Sequence, residues 1–265
     1  MVNNTNIYPL QLNFSDMLGT RVHYYPRLDK PVMVAALPDM GNVAGLCIST
    51  LIKGLNAELF AEVYAYWPPY VTYKDGVVEY RQSTYRFYSS SRDDLVIFGG
   101  DFNPTDPRRL YEVCYEVVNM AQRLSVKRLY TLGAALRPSV GAEPRVYGAV
   151  NNSSLIDVLR EHNILILEGE GQITGFNGLI LGIAMERGLD AICVLGEIDN
   201  PEMIQPRSAK RVLEKMLEIA KIRGFDMSEL DEEERRKRFM EEQLRYMNSM
   251  LERDKRRGRD IGIYY

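Results

Sequence analysis

A strand, a loop and a helix follow one another in residues 31–55, PVMVAALPDMGNVAGLCISTLIKGL. Residues 31–37 form a short apolar run bounded by prolines, which is typical of a buried strand. The loop at 38–42 contains a glycine, and the apolar residues that follow it predict a helix. Because α/β domains repeat this unit of strand, loop and helix, the segment indicates that fold class.

The same alternation continues along the chain. Further strands are predicted at 58–66, 94–100, 128–133, 164–168 and 190–196, and further helices at 105–124, 153–162, 178–187 and 208–222. Asp75-Gly76, inside the apolar and aromatic segment 71–80, predicts a β-hairpin. The pattern predicts an α/β fold with a mainly parallel sheet flanked by helices, in a domain at 1–224. Gly224 is predicted to be the left-handed cap of the last helix.

The composition changes after Gly224. Residues 225–259 are densely charged and predict a helical extension with acidic residues early and basic residues late. An apolar stripe with heptad-like spacing runs along it, formed by Met240, Leu244, Met247 and Leu251. Such a stripe must pack against another apolar surface. The sequence leaves two packing partners open, namely the chain's own domain and a helix of a second subunit. Gly258 is predicted to end the helix, which leaves 260–265 as a flexible C-terminal tail.

Composition and charge exclude several classes of protein. The chain is 46% hydrophobic with a net charge of −3, and the pI is near 5.6. Nucleic-acid binders usually carry a basic stripe, so no nucleic-acid partner is expected. No apolar run reaches about 18 residues, and residues 1–25 lack the pattern of a secretory signal, so no membrane association is expected. Three scattered cysteines, Cys47, Cys114 and Cys193, fit buried thiols in a reducing cytoplasm.

The sequence offers little catalytic chemistry. The two histidines, His23 and His162, have no second ligand at a useful spacing, so no metal or cofactor is expected. No known nucleophile, phosphate-loop or metalloprotease motif is present, and Ser139 has no recognisable base. A dense aromatic cluster favours a protein interface over base stacking; it comprises Tyr64, Tyr66, Trp67, Tyr70, Tyr73, Tyr80, Tyr85 and Tyr88.

Glycine-rich loops follow three predicted strands. Their candidate ligand-binding residues are Gly41, Asn42, Gly45, Gly100, Asp101, Gly171 and Gly175. The carboxyl ends of strands are where open α/β sheets place ligand crevices, so a nucleotide or phosphate site is one interpretation. Carboxylates at the same strand ends add weight to an enzyme, namely Asp39, Asp101, Glu168, Glu170 and Glu197. The preferred interpretation is that the glycines serve tight turns and close packing, and that the protein has no turnover.

Four segments together resemble the PAC2 family of proteasome assembly chaperones and their archaeal homologues. They are LPDMGNVAGLCISTLI, DLVIFGGDFNP, RLYTLGAALRPSV and EGQITGFNGLILGIAMERGLDAICVLGE, within residues 30–222. The resemblance implies a nucleoside-phosphorylase-like α/β fold. The last residues, Ile263-Tyr264-Tyr265, match the hydrophobic–tyrosine–any-residue (HbYX) motif of proteasome activators and archaeal chaperone homologues.

The resemblance implies a partner and a role for the tail. Such tails enter pockets between neighbouring α-subunits of the 20S proteasome, so Ile263, Tyr264 and Tyr265 are the expected docking residues. One tail binds weakly, because ordering it costs entropy, and several tails on one particle gain avidity. The sequence therefore predicts a cytoplasmic homo-oligomer that docks on the 20S α-ring, with a nucleotide- or phosphate-binding enzyme as the alternative.

Overall fold

The computed structural model describes residues 18–65, 71–80 and 83–260. The strands are β1 (Leu18–Val22), β2 (Val32–Ala35), β3 (Glu58–Ala65), β4 (Thr72–Lys74), β5 (Val77–Glu79), β6 (Ser83–Ser90), β7 (Leu95–Gly100), β8 (Arg128–Leu136), β9 (Val146–Val150), β10 (Leu165–Ile166) and β11 (Ala191–Ile198). The helices are α1 (Val43–Gly54), α2 (Pro107–Arg123), α3 (Ile156–Glu161), α4 (Gly175–Glu186), α5 (Pro206–Ala220) and α6 (Ser228–Asp260). Short 3-10 turns precede α1 at Met40–Asn42 and α3 at Ser153–Leu155.

One sheet organises the described residues, in the order β1-β3-β6-β7-β2-β8-β11-β9-β10. Its centre, β7-β2-β8-β11, is parallel. The margin formed by β1, β3 and β6 is antiparallel, and β9 pairs antiparallel with β11. Helices flank this sheet, so the predicted α/β class is confirmed.

The position of β2 inside the sheet explains why its sequence is apolar throughout. All four of its residues are buried. Val32 and Val34 face a core built with α1 and α5, whereas Met33 and Ala35 face a core built with α2 and α4. Because side chains alternate along a strand, a strand covered on both faces needs apolar residues at every position.

Two local predictions are confirmed in detail. Asp106 caps α2: its Oδ1 accepts hydrogen bonds from the backbone nitrogens of Arg108 at 2.8 Å and Arg109 at 3.2 Å. The predicted hairpin is β4 and β5, which form a separate two-stranded sheet. Asp75 and Gly76 both have positive φ, 51° and 80°, as a tight type I′ turn requires.

Three helix boundaries differ from the sequence prediction. Helix α5 ends at Ala220 and its left-handed cap is Lys221, with φ of 61°, so the prediction that Gly224 caps it was wrong. Helix α4 begins at Gly175, three residues before the predicted start. Helix α6 continues through Gly258 to Asp260, because one glycine inside a helix costs only about 1 kcal/mol.

Two strands were not predicted, β6 and β9. β6 joins the antiparallel margin of the sheet to its parallel centre by pairing with both β3 and β7. The predicted strand at 164–168 shrinks to two residues in β10, at the edge of the sheet. Strands such as these depend on long-range pairing, which local pattern does not show.

Candidate functional site

The first part of α6 is anchored to the α/β body. Leu230 is 1% exposed and belongs to the core that α1 and α5 share. Ion pairs surround it: Lys53 with Glu229, Lys210 with Asp231 at 2.7 Å, and Arg207 with Glu234 at 3.3 Å. The buried Leu230 and these three ion pairs therefore fix where α6 leaves the body.

Lys237 marks the last point of close attachment. It is only 8% exposed, and its Nζ donates a hydrogen bond to Gln205 Oε1 at 3.1 Å. Gln205 in turn holds the loop before α1, because its backbone nitrogen donates to Gly41 O at 2.8 Å. The anchor of α6 is thus connected directly to a loop at the ends of the parallel strands.

The apolar stripe lies beyond that point, and the described part of the chain does not cover it. Phe239 is 62% exposed and Leu244 is 49% exposed, and Met240, Tyr246, Met247 and Met250 are exposed as well. Of the two partners that the sequence left open for the stripe, the described part of the chain's own domain is therefore excluded. Leu251, the fourth heptad position, lies where only the backbone of α6 is described.

The predicted docking residues Ile263, Tyr264 and Tyr265 lie outside the described residues. What the structure gives is the element that leads to them. At 1.5 Å per residue, α6 extends about 30 Å from Phe239 to its end at Asp260. The helix therefore carries the chain well away from the α/β body before residue 261.

Two clefts open at the carboxyl ends of the parallel strands. The β8–β11 cleft is lined by Asp39, Asn103, Arg137, Leu167, Ile173, Thr174, Gly175 and Leu195, among others. The β2–β7 cleft is lined by Ala36, Asn42, Gly45, Ile48, Arg86, Tyr88, Gly100 and Asp101, among others. The residues after β2 separate them, since Asp39 lines one cleft and Asn42 the other.

The candidate ligand-binding residues of the sequence analysis divide between these places. Asn42, Gly45, Gly100 and Asp101 line the β2–β7 cleft, and Gly175 lines the β8–β11 cleft. Gly41 is buried against Gln205, whereas Gly171 is exposed and lines neither cleft. A Cβ at Gly45 would collide with the Asn42 side chain, and one at Gly100 with the Tyr85 ring, so close packing accounts for both glycines.

The strand-end carboxylates do not share one crevice, contrary to expectation. Glu197 is 1% exposed and forms an ion pair with Arg145, whose Nη2 lies 2.6 Å from Glu197 Oε1. Hydrogen bonds from Arg145 hold the pKa of Glu197 below its usual value. Glu168 and Glu170 are exposed, and Asp101 lies in the β2–β7 cleft. The five carboxylates therefore do not line a single crevice.

Asp39 has the unusual environment. Its Oδ1 accepts a hydrogen bond from the Ala44 nitrogen at 2.8 Å, in the first turn of α1. Its Oδ2 is buried and accepts none within the described part of the chain. Burial raises the pKa of Asp39 to about 7, against the opposing effect of the Ala44 amide. This carboxyl group changes charge near neutral pH.

Asn177 is the site residue that sequence reasoning missed. Its Oδ1 accepts from Leu37 N at 3.0 Å and its Nδ2 donates to Leu37 O at 3.1 Å. The side chain thus continues the sheet pairing past the end of β2 and ties α4 to the loop that holds Asp39. An asparagine within a glycine-rich apolar helix start was the available signal, because a buried amide requires polar partners.

The histidines, the cysteines and the aromatic cluster are the remaining candidates of the sequence analysis. His23 Nε2 lies 3.2 Å from Glu62 Oε2, and His162 Nδ1 contacts Val158 O at 2.8 Å. All three cysteines are buried and unpaired with each other. In the aromatic cluster, Tyr73 and Tyr80 of the hairpin are exposed and Tyr85 is buried. Tyr66, Trp67 and Tyr70 fall outside the described residues.

The described residues carry neither a cluster of metal ligands nor a bilayer-spanning helix. They contain no group of three or more histidine, cysteine, aspartate or glutamate side chains placed to hold a metal ion. None of their helices combines the length and hydropathy that a bilayer crossing requires.

Comparison with known proteins gives consistent matches in sequence and in structure. A family profile described as the PAC2 family matches residues 33–245. An uncharacterised protein of Methanocaldococcus jannaschii is 31% identical over 228 residues, which cover 82% of this chain and 87% of that protein. The crystal structure of Pyrococcus furiosus PbaB, an archaeal proteasome activator, superposes with a TM-score of 0.75 and 30% identity, covering 88% of this chain and 99% of that one. Pyrococcus furiosus PbaA, an archaeal homolog of proteasome-assembly chaperone, superposes with a TM-score of 0.72 at 23% identity, covering 91% and 96%.

Proposed function

The chain belongs to the PAC2 family, and from this membership we propose that it is a proteasome-associated protein that docks its C-terminal residues on the 20S α-ring. Its similarity to PbaB, an archaeal proteasome activator, supports the choice of partner. The proposed docking residues are Ile263, Tyr264 and Tyr265. A cytoplasmic location accompanies the proposal, since the sparse cysteines suit a reducing compartment.

The observation that carries the proposal is the geometry of α6. Its base is fixed by Leu230, Lys237 and their neighbours, and beyond Lys237 the described side chains are exposed except for the half-buried Glu241. A helix that is anchored at one end and extends about 30 Å from the body suits the presentation of a terminal segment to a separate particle. A helix that served only the fold would bury its apolar stripe.

The chemistry of the tail suits a pocket between subunits. The Tyr264 ring supplies a large apolar surface, with a hydroxyl group that can donate a hydrogen bond. Burial of Ile263 contributes about 1.5–3 kcal/mol when complete. A terminal carboxylate at Tyr265 can form a charge-assisted contact with a lysine. Adding residues after Tyr265 should therefore weaken binding as strongly as removing the motif.

We further propose that the exposed stripe of α6 joins copies of this chain. Met240, Leu244 and Met247 recur at heptad spacing on one face, which suits a second identical helix. An oligomer holds several tails on one particle, and this raises the effective concentration of each tail at the α-ring. Oligomerisation and docking are then two parts of one mechanism.

The decisive experiment measures binding of the purified full chain to the 20S particle of its own organism. Three variants should lose binding at least about 100-fold, since each removes the tail contact on which avidity depends: deletion of residues 263–265, Tyr264→Ala, and an extension after Tyr265. Tyr25→Ala, at an exposed tyrosine near β1, is the matched control and should bind normally. Equal affinity of the truncated and intact chains would contradict the proposal.

The same preparation tests the enzyme alternative. We propose that the protein has no turnover, because Glu197 is held by Arg145 and neither histidine lies in either strand-end cleft. Incubation with nucleosides, nucleotides and phosphate esters should give neither hydrolysis nor phosphorolysis. Product formation that disappears in Asp39→Ala would replace the docking function with an enzymatic one.

A further inference from the structure

The β8–β11 cleft has properties that the docking function does not use. We propose that this cleft binds a small organic monoanion, a carboxylate or sulfonate group carried on an apolar body. Its volume is about 400 Å³, within the range of small-molecule sites and far larger than an inorganic ion needs. The walls that Leu136, Leu167, Ile173 and Leu195 provide are apolar, which suits the body of such a ligand.

Arg137 supplies the positive charge. Its guanidinium carbon lies 4.7 Å from the centre of the Tyr147 ring, and Tyr147 is buried, so a cation–π contact holds the cation in place. The nearby Glu197 is paired with Arg145 and also interacts electrostatically with Arg137, but Arg137 makes no ion pair within the described residues. The N–H groups of a guanidinium suit the two oxygens of a carboxylate.

Asn103, which also lines the cleft, adds a neutral donor. Its Oδ1 accepts from the backbone nitrogen of Phe176 at 3.3 Å, in the first turn of α4. That contact orients the side chain and assigns its amide nitrogen as the donor toward Gly175 and the cleft. The cleft therefore offers a cation and an amide donor to one anionic group.

Asp39 limits the charge that the cleft accepts. Its buried Oδ2 lies next to Gly133 of β8 and has no hydrogen-bond partner within the described residues. When ionised, the carboxylate opposes an anion in the cleft through its charge; when protonated, it does not. A single Arg137 opposed by this carboxylate favours a monoanion over a phosphate dianion.

The protonation of Asp39 makes the site responsive to pH. Its pKa is raised to about 7 by burial. The other titratable groups that face it are the thiols of Cys47 on α1 and Cys193 on β11, whose pKa values burial raises, so both stay neutral from pH 6 to 8. The paired Glu197 keeps its charge over that range, because hydrogen bonds from Arg145 hold its pKa below its usual value. Among the described groups that face the cleft, Asp39 is therefore the one whose charge changes.

Benzoate and benzamide test the proposal, because they share a shape and differ in charge, and benzoate is ionised at both pH 6 and pH 8. The full chain, labelled with ¹³C in its alanine and isoleucine methyl groups, is titrated with each. Benzoate should shift the methyl signals of Ala134, Ala135 and Ile173 saturably, with a dissociation constant of about 1 mM at pH 6. The signal of Ile48, in the β2–β7 cleft, should not move.

Affinity for benzoate should fall about tenfold from pH 6 to pH 8, since the protonated fraction of Asp39 falls by that factor. Benzamide should bind at least about tenfold more weakly than benzoate at pH 6, as should benzoate to Arg137→Met. Arg92→Met, at an exposed arginine before β7, is the matched control and should bind normally. Asp39→Asn should bind benzoate equally at both pH values.

Three results would overturn the assignment: no saturable shift of the cleft methyl groups, equal affinity for benzoate and benzamide, or benzoate binding that Arg137→Met leaves unchanged. Equal affinity of the unmodified chain at pH 6 and pH 8 would also count against it, because Asp39 would then have no part in binding. Thermal unfolding of each variant verifies the fold, and Arg137→Met keeps the test valid should Asp39→Asn fail to fold.

Discussion

The two parts of α6 differ in burial although they belong to one continuous helix. From Ser228 to Arg238 the helix lies on α1 and α5, with Leu230 and Lys237 buried. From Phe239 onward its apolar residues are exposed, Leu244 among them at 49%. The contrast teaches that amphipathic spacing shows only that a helix needs a partner. Which partner it has depends on where the body of the protein ends.

The largest expected effect comes from charging the exposed stripe. Met240→Glu, Leu244→Glu and Met247→Glu together should dissociate the oligomer, because glutamates that face one another across a helix interface repel and remove its apolar contact. Loss of multivalent attachment should then weaken 20S binding at least about 100-fold. Light scattering measures the first effect and a binding assay the second.

Ser249→Glu is the control, since position 249 lies on the opposite side of α6 from Met240. It should leave both mass and binding unchanged. If the triple variant kept the mass of the unmodified protein, the second copy would have to be placed elsewhere, with the exposed hairpin tyrosines Tyr73 and Tyr80 the next surface to test.

Truncation of the anchor should cost more stability than truncation of the stripe. Leu230→Ala removes a fully buried side chain and should lower the free energy of unfolding by about 2–4 kcal/mol. Leu244→Ala is the same chemical change at an exposed site. It should change the free energy of unfolding of the dissociated subunit by less than about 0.5 kcal/mol. Urea unfolding at high dilution measures both, and similar losses would erase the distinction between the two parts of α6.

Changing pH should affect the body through Asp39, next to the loop that Gln205 and Lys237 hold. The folded pKa of Asp39, about 7, exceeds its ordinary value of 3.8, so the folded state binds the proton more tightly than the unfolded state does. Stability should therefore fall as pH rises from 5 through 7, by about 2–3 kcal/mol relative to Asp39→Asn. Parallel pH profiles of the two proteins would show that Asp39 is already ionised at pH 5.

The smallest expected effect concerns the last contact of the anchor. Lys237→Met keeps the length of the side chain but removes the donor to Gln205 Oε1, and should cost about 1 kcal/mol. Arg245→Met, in the exposed part, should cost nothing measurable. Hydrogen exchange should rise in the first turns of α6 for the first variant only. Faster exchange in both variants would mean that Lys237 is not the end of the attached region.

Local pattern was sufficient wherever local chemistry decides the structure. The buried strand at 31–37, the Asp106-Pro107 helix start and the Asp75-Gly76 turn were all predicted correctly, because burial on both faces, capping and positive φ each select particular residue types. The predicted helix ends were wrong where more than one residue could end the helix. Lys221 took the left-handed cap instead of Gly224, and α6 passed through Gly258.

The sequence by itself determined the α/β class, the family, and the presence of a charged amphipathic helix before Ile263-Tyr264-Tyr265, because these follow from periodicity and from short motifs. Only the tertiary structure decided that the described body leaves the stripe of α6 exposed, that Gly45 and Gly100 line one cleft and Gly175 another, and that Glu197 is paired whereas one oxygen of Asp39 is not. These outcomes depend on which side chains, far apart along the chain, meet in space. Glu197 and Asp39 look alike in sequence, and the arginine that one gains and the other lacks separates their chemistry.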